Sequence, residues 1–320
     1  ESGALQSRLL IKDTLHNLEK LIQFYKLIPV FFHGSGGSIA RGGGDVYEQT
    51  SWWPKSALEN FKTTIQGESV FQIFATPEVF QRHIEKVAIQ STAKHPRSPG
   101  VAETRSLAGV ASEVYKNTIS QPDFVQLLLE VTPYPFLSAL NFGSRPSKRQ
   151  DRGQSIEFSS LRAIPWVLCW NQTRNVFPAW WGIGTAWAKL NHQERIQLRK
   201  AYQRSKLLFS YVKLIAHSLA TANLPIWNTY LSQSPLPEDR KSFWRMRTKE
   251  EFDNTKEMIH FLSQKKKLLW YRSWLEDSIY LRSSYIHPLN LIQIIAMKRK
   301  DEKLFRSTVT GIAIGMMNSG

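Results

Sequence analysis

Three clusters of residues in this chain have the types and spacing needed to capture an oxyanion. The first is His33-Gly34-Ser35-Gly36-Gly37-Ser38-Ile39-Ala40-Arg41-Gly42-Gly43-Gly44. Glycines at that density let backbone N–H groups approach an anion closely, and Arg41 adds a fixed cation with forked donors. The Gly-Lys-Ser/Thr step of a nucleotide-binding P-loop is missing, and a flexible surface loop has the same composition. The second cluster is Gly143-Ser144-Arg145-Pro146-Ser147-Lys148-Arg149, with Arg152 close behind. Cations on a turn held by Gly and Pro suit phosphate or bicarbonate, and they also suit a plain solvated charge run. The third is Arg162, directly before the apolar run Ala163–Trp170. A charge entering an apolar element must be paired or bind a ligand.

Something must hold these clusters in place. Ile11, Leu15, Leu18, Ile22 and Tyr25 recur at helical spacing and predict a helix with one apolar face. The run Ile28-Pro29-Val30-Phe31-Phe32 follows and predicts a strand buried on both faces, leading into the glycine-rich segment. Ala163–Trp170 predicts a second such strand, with polar Asn171-Gln172-Thr173-Arg174 at its C-terminal end, where α/β folds place active sites. The remainder predicts helices. Thr76-Pro77-Glu78 opens one to about Ser91, Glu194–Ala222 and Glu250–Leu269 are two more, and Pro288 starts another toward Phe305. Pro96–Gly100, Pro133-Tyr134-Pro135 and Gln233–Asp239 predict loops. Two or three strands cannot close a barrel, so any barrel here is incomplete.

Composition narrows the function classes. With 320 residues, 42% of them hydrophobic and 11 tryptophans, the chain can bury a large core. No apolar stretch reaches the roughly 20 residues of a membrane-spanning helix. No segment has the pattern of a secretion signal, so a cytoplasmic, reducing setting is expected. The single cysteine, Cys169, sits in an apolar run and predicts an inert buried thiol. The net charge of +16 attracts phosphates, nucleic acid or anionic lipid without choosing among them. The cationic helices around Arg195–Lys206 and Lys298–Arg306 lack aromatic interleaving, which argues against nucleic acid; a solvated helix face fits them better than an anionic membrane does. The acids Asp13, Glu19, Asp45 and Glu48 form no metal-binding spacing, and the histidines other than His33 are dispersed.

Six segments in order give the chain a family resemblance. Phe32–Gly43, Thr64-Ile65-Gln66-Gly67-Glu68, Gly143–Arg149, Leu161–Trp166, Leu281–Asn290 and Asn318-Ser319-Gly320 resemble the FHGRGGxxxRGG, TxQGE, GSRPxKR, LRAIPW, LRxxYxxPLN and terminal Asn-x-Gly segments of phosphoenolpyruvate carboxylases. The resemblance covers essentially the whole chain and implies its C-terminal portion. It implies a mainly α fold with a few β-strands, the C-terminal part of a helix-rich (β/α)8, TIM-type barrel that this chain leaves incomplete. Residues 1–320 would form one such region, with barrel-derived strands and loops in 1–175 and a helical bundle in 176–320. The implied reaction joins phosphoenolpyruvate and bicarbonate to give oxaloacetate and phosphate.

Residue by residue, the resemblance implies that Arg162 holds the substrate phosphate and that Arg145 steadies the transferring group. His33 and Arg41 would belong to a loop that closes over the site. Arg282 and Asn318 would hold the feedback inhibitor aspartate, with Arg41 shared between that pocket and catalysis. Two positions depart from the family pattern. Ser35 stands where the family has a phosphate-binding arginine, and Thr221 stands where the inhibitor site has a lysine. A short insertion separates the GSRPxKR and LRAIPW segments. The family's magnesium or manganese ligands and its catalytic histidine would lie in an upstream half, so no metal is expected to be held by this chain alone. Assembly as a homo-oligomer is implied as well. Two function classes remain: part of a carboxylase that is inactive by itself, or a degenerate carboxylase-derived binding protein with a basic surface.

Overall fold

The computed structural model describes residues 2–34, 50–60, 62–64, 74–92, 100–137 and 163–317. The described residues are mainly helical. Their helices are α1 Ala4–Phe24, α2 Ser56–Glu59, α3 Pro77–Thr92, α4 Val101–Ile119, α5 Pro122–Val131, α6 Tyr134–Leu137, α7 Ala163–Gln172, α8 Phe177–Trp180, α9 Ile183–Ala188, α10 His192–Arg204, α11 Lys206–Thr221, α12 Leu224–Gln233, α13 Glu238–Ser263, α14 Ser273–Arg299 and α15 Glu302–Met317. Two short strands, β1 Phe32–Gly34 and β2 Lys62–Thr64, pair in parallel with Phe32 opposite Lys62. Among the described residues no single helix is long and apolar enough to cross a membrane.

The chain forms two compact units. One gathers residues 5–108 and 190–215; the other gathers 109–189 and 216–319 with the first four residues. In the first, Leu15, Phe31 and Ala57 pack together with Trp53 against them. Arg105 grips Asp13 with two bonds of 2.8 and 2.7 Å from Nη2, and Gln90 donates to the Thr50 hydroxyl in the interior. The helix predicted from Ile11 onward is present, but its buried side is Leu5, Leu9 and Leu15, while Leu18 and Tyr25 are exposed. The predicted two-face burial of Ile28–Phe32 is not observed. Pro29 and Phe31 are buried whereas Ile28 and Val30 are 78% and 56% exposed, so the run alternates and the ladder begins only at Phe32.

The second unit is built on aromatics. Trp170 stacks on Phe177 at 4.8 Å and on Phe124 at 5.8 Å, and Trp227, Trp181 and Trp244 complete the cluster. Each ring removes about 150–250 Å² from water, a gross gain of about 4–6 kcal/mol. The tryptophan-rich stretch Phe177–Trp187 is therefore core. Glu251 of α13 accepts bonds from the Gly184 and Thr185 N–H groups at 2.7 and 3.0 Å and from the Thr185 hydroxyl, capping α9 from a neighbouring helix. Glycine at 184 permits this approach: a Cβ there would lie 2.3 Å from the Glu251 carbonyl oxygen.

Several predicted elements need correction. Ala163–Trp170 is helix α7, not a strand. A short run that is apolar on every side carries no period that separates the two states, and Pro165 falls in the first turn, where a missing N–H is harmless. The helix ends as Arg174 and Val176 take left-handed conformations, with the Asn175 and Val176 amides folding back onto the Trp170 carbonyl. Glu194–Ala222 divides at Ser205, which ends α10 and accepts from Leu208 N to open α11. Pro288 lies inside α14 and does not start it, because it and Ser284, whose carbonyl loses its donor, both face solvent. The helix placed at Glu250–Leu269 starts earlier, at Glu238, and stops at Ser263, where left-handed Gln264 leaves the three lysines beyond the end. The predicted loop at Pro133–Pro135 includes the start of one-turn α6.

Candidate functional site

The parallel ladder sets the geometry at one cluster. Register places His33 opposite Thr63 and Gly34 opposite Thr64. The chain thus enters the glycine-rich segment and the Thr64–Glu68 segment from the C-terminal ends of neighbouring parallel strands. That is the end where α/β architectures gather ligand-binding loops. Lys62 sits 5.7 Å from the Phe32 ring centroid, a cation against an exposed aromatic at the base of the pair. For His33 the backbone alone is described. Ser35, Arg41, Arg145, Arg162 and Asn318 lie outside the described residues.

Arg162 directly precedes α7, whose C-terminal end is tied into a buried polar network that the sequence reading did not identify. Gln172 is fully buried and donates to the Val309 carbonyl of α15 at 3.1 Å. Its own side-chain oxygen accepts from Gln293 of α14 at 2.6 Å, and its carbonyl accepts from Asn290 Nδ2 at 2.6 Å. Gln293 also donates to Thr308 of α15, and Tyr230 of α12 donates to Gln293 while accepting from Asn290. Burial holds the Tyr230 phenol well above its ordinary range, so it stays a neutral donor. The available signal was weak: Asn290 closes the Leu281–Asn290 segment, and Gln172 ends an apolar run.

Beside this network Arg174 is buried with Nε and Nη2 donating to the Thr221 carbonyl at 2.9 and 2.8 Å. The guanidinium therefore caps the C-terminus of α11, where the helix dipole is negative. Burial lowers its pKa to about 10, partly opposed by Tyr230, and it remains charged at neutral pH. His287 is held below its ordinary value by burial first and by the Arg174 charge second.

Thr221 and Arg282, the two effector-site candidates within the described residues, share no bonding partner. The Thr221 hydroxyl is buried and directed at the His217 and Ser218 carbonyls of its own helix. Arg282 donates from Nε to the Ser278 carbonyl, from Nη2 to the Ser278 hydroxyl, and from Nη1 to the Gly315 carbonyl at 3.0 Å. Gly315 is three residues before Asn318, so Arg282 is fastened to the last turn of α15 just ahead of that candidate. Burial pulls the Arg282 pKa down. Three bonds leave two of its five N–H donors for a ligand.

The family's divalent metal finds no matching donor set among the described residues, where no three of His, Cys, Asp and Glu converge as ligands. Glu251, the most buried of the described acids, is already committed to the α9 N-terminus. Cys169 is fully buried, and desolvation pushes its thiol far above the ordinary value, leaving it inert.

Comparison with known proteins agrees with the segments described above. A profile of the phosphoenolpyruvate carboxylase family matches residues 1–320. A phosphoenolpyruvate carboxylase of Synechocystis sp. is 32% identical over 356 residues, covering 100% of this chain and 34% of the relative. Phosphoenolpyruvate carboxylase 4 of Arabidopsis thaliana is 33% identical over 307 residues, covering 90% of this chain and 29% of the relative. A phosphoenolpyruvate carboxylase of Xanthomonas campestris pv. campestris is 32% identical over 311 residues, with 91% and 34% covered. The chain thus spans about a third of the length of these relatives. With its segments matched in order and the profile running from end to end, the chain belongs to the phosphoenolpyruvate carboxylase family.

Proposed function

We propose that this chain supplies the phosphate- and effector-binding face of a phosphoenolpyruvate carboxylase and does not complete the reaction by itself. The reaction moves the phosphoryl group of phosphoenolpyruvate to bicarbonate, leaving an enolate and carboxyphosphate. Carboxyphosphate then yields phosphate and carbon dioxide, and the enolate carbon takes up the carbon dioxide to give oxaloacetate. The observation that carries the reading is the family match over residues 1–320. The departure of two matched segments from paired strand ends supports it.

In this reading Arg162 binds the substrate phosphate, Arg145 steadies the phosphoryl group in transfer, and His33 with Arg41 closes over both. Ser35 replaces a cation with a single hydroxyl and so weakens phosphate binding. Arg282, Asn318 and Arg41 hold a carboxylate effector such as aspartate; Thr221, its hydroxyl turned to its own helix, contributes no charge. The magnesium or manganese ligands, the remaining barrel strands and the catalytic histidine belong to sequence outside these residues. Cytoplasmic residence and assembly into a homo-oligomer complete the proposal.

A calorimetric titration of the chain with phosphoenolpyruvate tests it. The expected result is binding that weakens at least about tenfold in Arg162→Ala, the loss of a charge-assisted bidentate contact. Equal affinity in both proteins overturns the role of Arg162. The Ser35 replacement and the +16 charge favour a second reading, a carboxylase-derived binding protein. Affinity for phosphoenolpyruvate no better than for sulfate, with both falling together as salt rises, would support that reading instead.

A further inference from the structure

We propose that the outer face of α14, together with the lysines at its two ends, seats this chain on an anionic lipid surface. Trp274, Tyr280, Leu281, Tyr285, Ile292 and Ile295 are exposed along this helix, both tyrosines at 78%. At 3.6 residues per turn the six fall within a sector of about 140°, and the strip runs about 32 Å from Trp274 to Ile295. The opposite side carries Leu275, Ile279, Ile286, Asn290, Gln293 and Ile294, all buried. From Tyr280 to Ile295 the exposed positions are Tyr, Leu, Ser, Tyr, Pro, Leu, Ile and Ile, and none is charged. A surface helix of a soluble domain keeps its charges on the outer side; α14 is apolar on both.

The two ends of the strip are basic. Lys265, Lys266 and Lys267 are exposed just before α14, and Lys298, Arg299 and Lys300 are exposed where it stops. Residues 265–306 hold ten cations against four acids, and one of those acids, Glu276, is taken up by Lys267 at 3.1 Å. The lysines before α14 sit on an anchored segment: Leu269 is buried with Leu275 and Ile279, and Tyr271 packs against them. An uncharged aromatic and aliphatic strip with cations at both ends is the chemistry of a helix lying in the plane of a bilayer interface. Its apolar side chains reach about 5–10 Å in, Trp and Tyr stay at headgroup level, and the ammonium groups meet lipid phosphates and carboxylates. The Lys298–Arg306 run by itself suits a solvated face, as the sequence implies; its continuation into this strip, which only burial reveals, changes that. A protein partner would have to present acids at both ends of a strip about 32 Å long, whereas an anionic bilayer presents them everywhere. Arg282 turns to Gly315 of α15, so lipid seating and the candidate effector site use different sides of α14, and the inference does not depend on the proposed function.

Flotation of the 320-residue chain with lipid vesicles is the test. Vesicles of phosphatidylcholine with about 30% phosphatidylserine are expected to carry the chain upward, pure phosphatidylcholine is not, and rising salt weakens the binding. Trp274→Ser with Tyr285→Ser, and separately Lys265→Glu with Lys266→Glu, are each expected to weaken it about tenfold or more. Lys200→Glu with Arg204→Glu on α10 is expected to leave it within about twofold. All these side chains are exposed, so the substitutions spare the core. Lipid brominated in its acyl chains reads depth. Trp274 is exposed whereas Trp170, Trp180, Trp187 and Trp227 are fully buried, so tryptophan emission is expected to be quenched in the natural chain and not in Trp274→Phe. The inference is overturned by absence of flotation with the anionic vesicles, or by flotation that survives the Trp274 and Tyr285 substitutions. An equal loss from the α10 pair also overturns it, because the attraction would then come from the overall charge of +16. So does a dimer in light scattering that Tyr285→Ser splits, which would give the strip to a second copy of the chain.

Discussion

Glu251 and Arg174 show how individual buried charges are accommodated. Desolvation raises the Glu251 pKa above 4.5, and bonds from Thr185 and Gly184 pull the other way without overcoming it. A carboxyl whose folded pKa is raised contributes stability that is fully present below the unfolded value and is lost as pH rises through the folded value. Relative to Glu251→Gln, the natural chain is therefore expected to lose stability as pH climbs from about 4.5 toward neutrality, read from urea midpoints at successive pH values. A difference between the two proteins that does not vary with pH would contradict this. Glu251 did not stand out in the sequence, since a Glu among Lys and Glu on a long helix is an ordinary surface pattern until burial is known; Arg174 was read as one of the polar residues at the end of a predicted strand and proves to be a buried helix cap.

Elements were read well where local chemistry specifies them. Thr76-Pro77-Glu78 opens α3 as expected, with the Thr76 hydroxyl accepting from Val79 N, whereas the break at Ser205 was passed over although that residue carries a recognisable cap. The sequence misled where tertiary burial decides. Ala163–Trp170 is apolar on every side, so strand and helix were indistinguishable, and Pro288 passed for a helix start because its tolerance depends on facing water. The close contact of α9 and α13 was likewise invisible, since it depends on one absent Cβ. Gly184→Ala is expected to destabilise the fold by about 1–3 kcal/mol, an overpacking cost against backbone that cannot give way. Chemical denaturation checks it; an unchanged midpoint would mean that α9 can shift aside.

For the whole molecule, family and helical character were legible from ordered segments and helical spacing, while the polar network joining α7 to α14 and α15 was not. Bonds such as Gln172 to Gln293 link residues 121 positions apart, and nothing in local sequence announces them. Of the candidate site, the structure describes the strand ends that feed the glycine-rich and Thr64–Glu68 segments and the setting of Arg282; the arginines at 41, 145 and 162 rest on the matched segments. The chain covers about a third of its relatives, and the described acids and histidines form no metal-binding set. The proposed function is anion capture without turnover by this chain alone. The most direct measurement is oxaloacetate formation by this 320-residue chain with phosphoenolpyruvate, bicarbonate and magnesium, followed through reduction by malate dehydrogenase. The account predicts a rate no higher than that of Arg162→Ala; turnover above background that Arg162→Ala abolishes would contradict it.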